Sequence, residues 1–243
     1  MDEISLEILD IFYNENKDKL FIPVEKIGTR FLNEESIQKW YSNIENFSPD
    51  FENGSTEKVK EPYLFFAKSL IQIFKYIDFN TFSKNIQSIA DELIQKIKEN
   101  QSYEYVYFIV PEEINKSNMW VTLLLYHYLN TNTESDSIFK NEDFRKKIKF
   151  TTNFLHVAKK CFDDGVNYKQ TLCIYCDDMS YTGSQLYSNI FLSKRQFNIT
   201  SEFLNKMNVF IAIPYLTPLV KKKIRIVIVC RIFKKFHSYK SLY

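Results

Sequence analysis

Two neighbouring carboxylates, Asp177 and Asp178, close the apolar run Thr171-Leu172-Cys173-Ile174-Tyr175-Cys176. Adjacent like charges repel, so a fold that keeps both must give each hydrogen-bond donors or a cation. Sugar hydroxyls and hydrated Mg²⁺ supply these. Met179, Ser180 and Tyr181 follow, and then Thr182-Gly183-Ser184-Gln185 brings two hydroxyls and a flexible backbone to the start of a predicted helix. The first amides of a helix have no partner within it and the helix dipole favours an anion there, so this is a phosphate site by geometry. Carboxylates for a ribose and amides for its phosphate therefore share one loop.

The elements that must position this loop can be read from periodicity. Residues 105–110 (Tyr-Val-Tyr-Phe-Ile-Val) form a β-branched and aromatic run of buried-strand length, and 171–176, 209–213 and 224–229 repeat that signal. Between them, helices are predicted over 119–129, capped by Ser117 or Asn118, over 153–162, ending at Asp163-Asp164-Gly165, and from Gly183 onward. Alternation of this kind predicts an α/β fold, a parallel sheet flanked by helices with right-handed crossovers. Residues 1–100 read as an α-helical N-terminal region and 101–243 as the α/β core. In the first region Ile86, Ile89, Ala90, Leu93, Ile94 and Ile97 paint one helix face, with Asn80 or Ser83 as its cap. A second helix has Pro62 in its first turn and Leu64, Phe65, Ile71, Phe74 and Ile77 facing a core. A third starts after the capping signal Asn33-Glu34-Glu35-Ser36, with Trp40 expected to pack inward. In α/β sheets ligands bind beyond the carboxyl ends of strands, which is where Asp177-Asp178 falls.

An apolar strand, then Asp-Asp, three residues, Thr-Gly and a hydroxyl residue one place on resembles the phosphoribosyl pyrophosphate (PRPP) signature of type I phosphoribosyltransferases. The resemblance implies that Asp177 and Asp178 are the catalytic pair holding the ribose 2′- and 3′-hydroxyls, and meet a magnesium ion only indirectly, through ribose or water. It implies that Thr182, Gly183, Ser184 and the segment from Met179, Ser180 and Tyr181 to Gln185 wrap the 5′-phosphate. Gln185 stands where many members place Thr. The family's pyrophosphate loop follows its first core strand; here that place is 111–118, with Lys116, Ser117 and Asn118 as the candidate contacts. The polar stretch 130–141 falls where these enzymes keep a mobile hood. The implied function is transfer of the phosphoribosyl group from Mg·PRPP to a nitrogen acceptor on a nucleobase, nucleotide or macromolecule. By layout the chain is similar to the phosphoribosyltransferase branch associated with prokaryotic conflict and antiphage systems.

Two other readings use the same residues. One is a non-catalytic module that senses PRPP or a nucleotide, and the other a helical interaction protein with a vestigial site. With 32 basic against 30 acidic side chains the net charge is +2, which indicates neither nucleic acid nor a membrane surface as partner. The start Met1-Asp2-Glu3 and the absence of a long apolar run give a cytoplasmic expectation with no membrane segment. A homodimer and a partner protein at the helical region are compatible with this reading. Cys173 and Cys176 lie on opposite faces of one strand, as expected of buried thiols rather than a metal pair. His127 and His156 sit in apolar helices and read as packing residues. Arg145, Lys146, Lys147 and Lys149 read as a solvated charge run, and Lys221, Lys222 and Lys223 as an edge guard.

Overall fold

A computed structural model describes residues 11, 13–15, 28, 31, 33–46, 56–73, 77–100, 102–110, 116–131, 138–152, 154–180, 184, 207–217 and 220. The chain divides into two compact units, residues 1–22 with 85–243, and residues 23–84.

The smaller unit holds α1 (Glu34–Asn46), α2 (Thr56–Ile73) and the first turn of α3 (Phe79–Glu99). Asn33 caps α1 as expected, its Oδ1 accepting from the Ser36 amide and hydroxyl, each at 2.8 Å. The cap of α3 is Asp78 rather than Asn80 or Ser83: its carboxylate accepts from the Thr81 amide at 2.8 Å and the Thr81 hydroxyl at 2.9 Å. Two charge-assisted hydrogen bonds to one side chain outweigh the neutral caps on offer further along. Pro62 lies inside α2 instead of in its first turn. Two expected core residues are in solvent, Trp40 at 46% and Phe65 at 76% exposure. α1 and α2 touch, yet both rings remain in solvent, since helical spacing marks a face without stating what covers it.

The larger unit is an α/β structure with a parallel sheet, as expected. It contains β1 (Tyr105–Ile109), α4 (Ser117–Thr131), α5 (Glu142–Lys147), β2 (Ile148–Thr151), α6 (Phe154–Asp163), β3 (Thr171–Cys176), β4 (Met179–Ser180), β5 (Asn208–Ala212) and β6 (Tyr215–Leu216). The main sheet runs β2-β1-β3-β5, every neighbouring pair parallel. Phe108 stands level with Phe150 on one side and Ile174 on the other. On that face Tyr126 of α4 meets Phe108 and Phe150 edge-on, with ring centroids 5.5 and 5.2 Å apart. On the other face Tyr107, Ile109, Cys173 and Tyr175 pack against Phe154, Val157, Ala158 and Cys161 of α6. Burial on both faces is why these strands read as continuous apolar runs rather than alternating ones. The stripe of α3 from Ile86 to Ile97 is buried as its spacing predicted.

β2 was not foreseen. Its Ile148 and Phe150 are fully buried, but Lys149 and the basic residues before it mask the signal. Its free edge is closed by Asn14, whose side-chain amide donates to the Phe150 carbonyl at 2.9 Å and accepts from the Phe150 amide at 3.0 Å, imitating a neighbouring strand. The mobile hood expected over 130–141 is not a loop at its ends. α4 continues through Thr131, residues 138–140 form a turn of 3₁₀ helix with Phe139 buried against Phe144, and Asn141 caps α5. Phe139 and Phe144 anchor residues 138–144 by their ring contact, and 132–137 lie outside the described residues. α6 ends as the sequence predicted: Gly165 takes φ +66°, and the amides of Val166 and Gly165 return to the carbonyls of Cys161 and Phe162. The strand expected at 224–229, the helix after Gly183 beyond Ser184, and Lys221 to Lys223 lie outside the described residues.

Candidate functional site

Strand order selects the site. From β1 the chain leads to β2 at one edge of the sheet, whereas from β3 it leads to β5 at the other. β1 and β3 are neighbours, so their outgoing connections part at their carboxyl ends, the topological switch point at which α/β sheets generally form a ligand crevice. Ser117 opens the helix after β1, and Asp177 is the first residue after β3. The Ser117 hydroxyl donates to Asp177 Oδ1 across this switch point at 3.1 Å, joining residues 60 apart in the chain. The two loops singled out by sequence for sugar and for pyrophosphate thus meet here.

Asp177 is 5% exposed. Its Oδ1 also accepts from the Asp178 amide at 3.0 Å, and its own amide extends the sheet ladder to the Ala212 carbonyl at 3.3 Å. Burial, with the adjacent Asp178 charge acting in the same direction, pushes the Asp177 carboxyl up to about 6, against the opposing effect of the Ser117 hydrogen bond. Among the described residues no basic side chain forms an ion pair with Asp177 or Asp178. A carboxyl held in this way is poised to welcome hydroxyl donors or a cation. Asp178, half-buried, accepts from the Met179 amide at 2.8 Å. Met179 and Ser180 then form β4, which pairs with Tyr215 and Leu216 of β6, and the Thr217 amide donates to the Ser180 carbonyl at 3.2 Å. The Tyr215 hydroxyl in turn accepts from Asn85 of α3 at 2.7 Å. This second small ladder fixes the backbone of the acidic loop, and two-residue strands leave no periodicity by which sequence could announce them.

No family model and no solved structure matches the chain. A DNA-directed RNA polymerase subunit beta″ of Stigeoclonium helveticum is 27% identical over 177 residues. The match takes in 71% of this chain, which spans 6% of the subunit's length. At that identity and coverage the likeness establishes no shared family.

The remaining candidates fall as follows. Lys116 is exposed beside Ser117, and Asn118 is buried. Ser184 is helical and exposed, while Tyr181, Thr182, Gly183 and Gln185 lie outside the described residues, as do 111–115. Among the described residues no cluster of three or more His, Cys, Asp or Glu could hold a metal ion by itself. An adjacent carboxylate pair nevertheless fits a magnesium ion that keeps most of its waters and is carried by a diphosphate. Cys173 and Cys176 point to opposite faces as expected. The Cys173 thiol lies 3.2 Å from Met207 Sδ and the Cys176 thiol meets Thr122, and burial drives the Cys176 thiol up to about 12. Both are inert packing groups. Of the basic run, Lys146 pairs with Glu142 and Asp143, and Lys147 donates to the Tyr103 carbonyl at 3.2 Å. His127 packs on Tyr128. Thr122, in contact with the residue preceding the acidic pair, was not singled out by sequence; a Thr one turn after Asn118 in an otherwise apolar helix was the signal. Among the described residues no helix is long and apolar enough to cross a membrane.

Proposed function

We propose that the crevice between β1 and β3 binds Mg·PRPP and that the protein transfers its phosphoribosyl group to a nitrogen nucleophile. The observation that carries this reading is the buried Asp177 carboxyl, bridged to Ser117 and with no described cation beside it. Asp177 and Asp178 would hold the ribose hydroxyls, and the segment from Thr182 to Ser184 its 5′-phosphate. The Lys116 ammonium and the Ser117 and Asn118 amides at the start of α4 would face the diphosphate, whereas the Met119 amide is already engaged with the Lys116 carbonyl at 3.1 Å. Magnesium arrives as part of the substrate and supplies charge compensation to the diphosphate. In the reaction the C1′–O bond breaks, pyrophosphate leaves with the electron pair, a C1′–N bond forms, and the nitrogen's proton passes to solvent. The chain's own part is positioning and preorganised polarity. A cytoplasmic setting belongs to the same proposal.

A sensing module is the second reading. It is favoured by the ladder of β4 and β6, which ties the acidic loop through Tyr215 to Asn85 on α3 and so gives occupancy of the loop a physical route to a helix. Titration calorimetry with Mg·PRPP tests both readings. The wild type should bind and the Asp177→Asn, Asp178→Asn double variant should not; equal affinity of the two proteins removes the proposal. Release of pyrophosphate in the presence of a panel of bases then distinguishes the enzyme from the sensor.

A further inference from the structure

The boundary between the two units falls inside a helix. α3 runs unbroken from Phe79 to Glu99, yet its residues up to Lys84 belong to the smaller unit and those from Asn85 onward to the larger. Each unit grips its own end. On the smaller unit's side the Phe31 ring packs on Phe79 and Phe82, with centroids 5.4 and 5.1 Å apart. The backbone at Gly28 passes so close that a Cβ there would lie 3.3 Å from Phe79 Cδ1. On the larger unit's side Ile86, Ala90, Leu93 and Ile97 are buried, and the Asn85 side-chain amide donates to the Tyr215 hydroxyl at 2.7 Å. Phe82 and Asn85 are three positions apart, and side chains at that spacing are neighbours on a helix surface. The two grips are therefore one turn of helix apart.

Tyr215 is tied to the acidic loop as well. Its backbone stands in register with Met179, whose amide donates to the Asp178 carboxylate at 2.8 Å. Described links therefore run from Asp178 to Met179, from Met179 to Tyr215 and from Tyr215 to Asn85, the residue at which α3 passes from one unit to the other. Hydrogen-bond networks joined to rigid elements are what carries energetic coupling between separate parts of a protein. We propose that α3 couples the acidic loop to the smaller unit, so that ligand on Asp177 and Asp178 and the packing around Phe31 each bias the other through the Tyr215–Asn85 bond. The inference rests on the PRPP reading and holds for an enzyme and a sensor alike. It makes residues 23–84 a regulatory unit. By linkage, whatever favours one arrangement of the Phe31 cluster changes ligand affinity by the factor with which ligand changes that arrangement.

Hydrogen exchange on the full chain, with and without saturating Mg·PRPP, tests this. In the wild type the amides of α1, α2 and the first turn of α3 should change their exchange rates by about threefold or more on binding. Tyr215→Phe keeps the backbone ladder and loses only the hydroxyl. It should still bind Mg·PRPP within about threefold, and the change in the smaller unit should vanish. Calorimetry reads the reverse direction: Phe31→Leu should shift Mg·PRPP affinity by about threefold or more in the wild-type background and by under about 1.5-fold in the Tyr215→Phe background. Wild-type protein that binds ligand with no change in the smaller unit, or a change that persists in Tyr215→Phe, overturns the inference. An equal effect of Phe31→Leu in both backgrounds does so too, as does loss of binding in Tyr215→Phe, which would place the hydroxyl in the site itself. The exchange measurement decides by itself if Phe31→Leu does not fold. If the wild type does not bind Mg·PRPP, the PRPP reading falls and the inference with it; if it binds and only the coupling is missing, the PRPP reading stands.

Discussion

The chain contains the dipeptide Asp-Asp twice in its α/β unit, and the two copies have opposite fates. Asp163-Asp164 ends α6 in solvent: Asp164 pairs with Lys160 at 3.1 Å and accepts from the Tyr105 hydroxyl at 3.2 Å, and Gly165 turns the chain away. Asp177-Asp178 ends β3 at the switch point, where Asp177 is buried with a serine hydroxyl and a backbone amide but no described cation. Asp164 of the first pair has its requirements met by a lysine one turn back on its own helix and by a tyrosine hydroxyl of β1. The second has them met only in part, and what is missing is what a polyhydroxyl ligand with a metal ion provides. Incomplete satisfaction, rather than acidity, marks a site.

The comparison breaks most sharply under paired substitution. Asp177→Asn with Asp178→Asn should weaken Mg·PRPP by about 10²–10⁴-fold, given about 1.5–3 kcal/mol for each charged hydrogen bond. Asp163→Asn with Asp164→Asn should leave calorimetric affinity unchanged; an equal loss in both variants would erase the distinction.

Stability against pH sharpens it next. The folded Asp177 carboxyl titrates at about 6, above its ordinary 3.8, so its contribution to stability is fully present below pH 3.8 and is lost as pH rises through 6. Two pH units correspond to about 2–3 kcal/mol. Asp177→Asn should therefore raise the melting temperature of the ligand-free protein at pH 7.5 by about 5–10 °C while weakening ligand binding by about 10–10²-fold. A variant that melts lower at pH 7.5 than the wild type would show that the carboxylate is stabilising where it stands.

Ser117→Ala removes the donor that bridges the switch point. It should cost about 1 kcal/mol in denaturant unfolding at pH 7.5 and move the Asp177 titration further upward by NMR, since that hydrogen bond favours the ionised form. The smallest effect belongs to the other pair. A Cβ at Gly165 meets nothing within 4 Å, so Gly165→Ala should cost only the left-handed φ, about 1 kcal/mol, with no change in ligand affinity.

Local pattern made much of this molecule legible. The buried stripe of α3, the three strands β1, β3 and β5, the Asn33 cap, the Gly165 stop and the acidic pair at a strand end each follow from the side chains of one short segment. The misreadings share a cause. Lys149 hid β2 because an edge strand of four residues tolerates a charge that a central strand would not. Phe139 and Phe144 make helical turns of residues 138–147 at the end of a stretch whose polar composition reads as a loop, because two rings can anchor several polar neighbours. Trp40 and Phe65 read as core because helical spacing states that a face exists without stating what covers it.

Sequence alone determined the central strands β1, β3 and β5, the helices α4 and α6 and that two carboxylates end a strand, because periodicity and local capping are encoded within a turn or two of chain. Only the tertiary structure decided that β1 lies beside β3 with their connections parting. That arrangement sets Ser117 against Asp177 and strips water from the carboxyl. Strand order depends on how distant apolar faces pack, which no local pattern records.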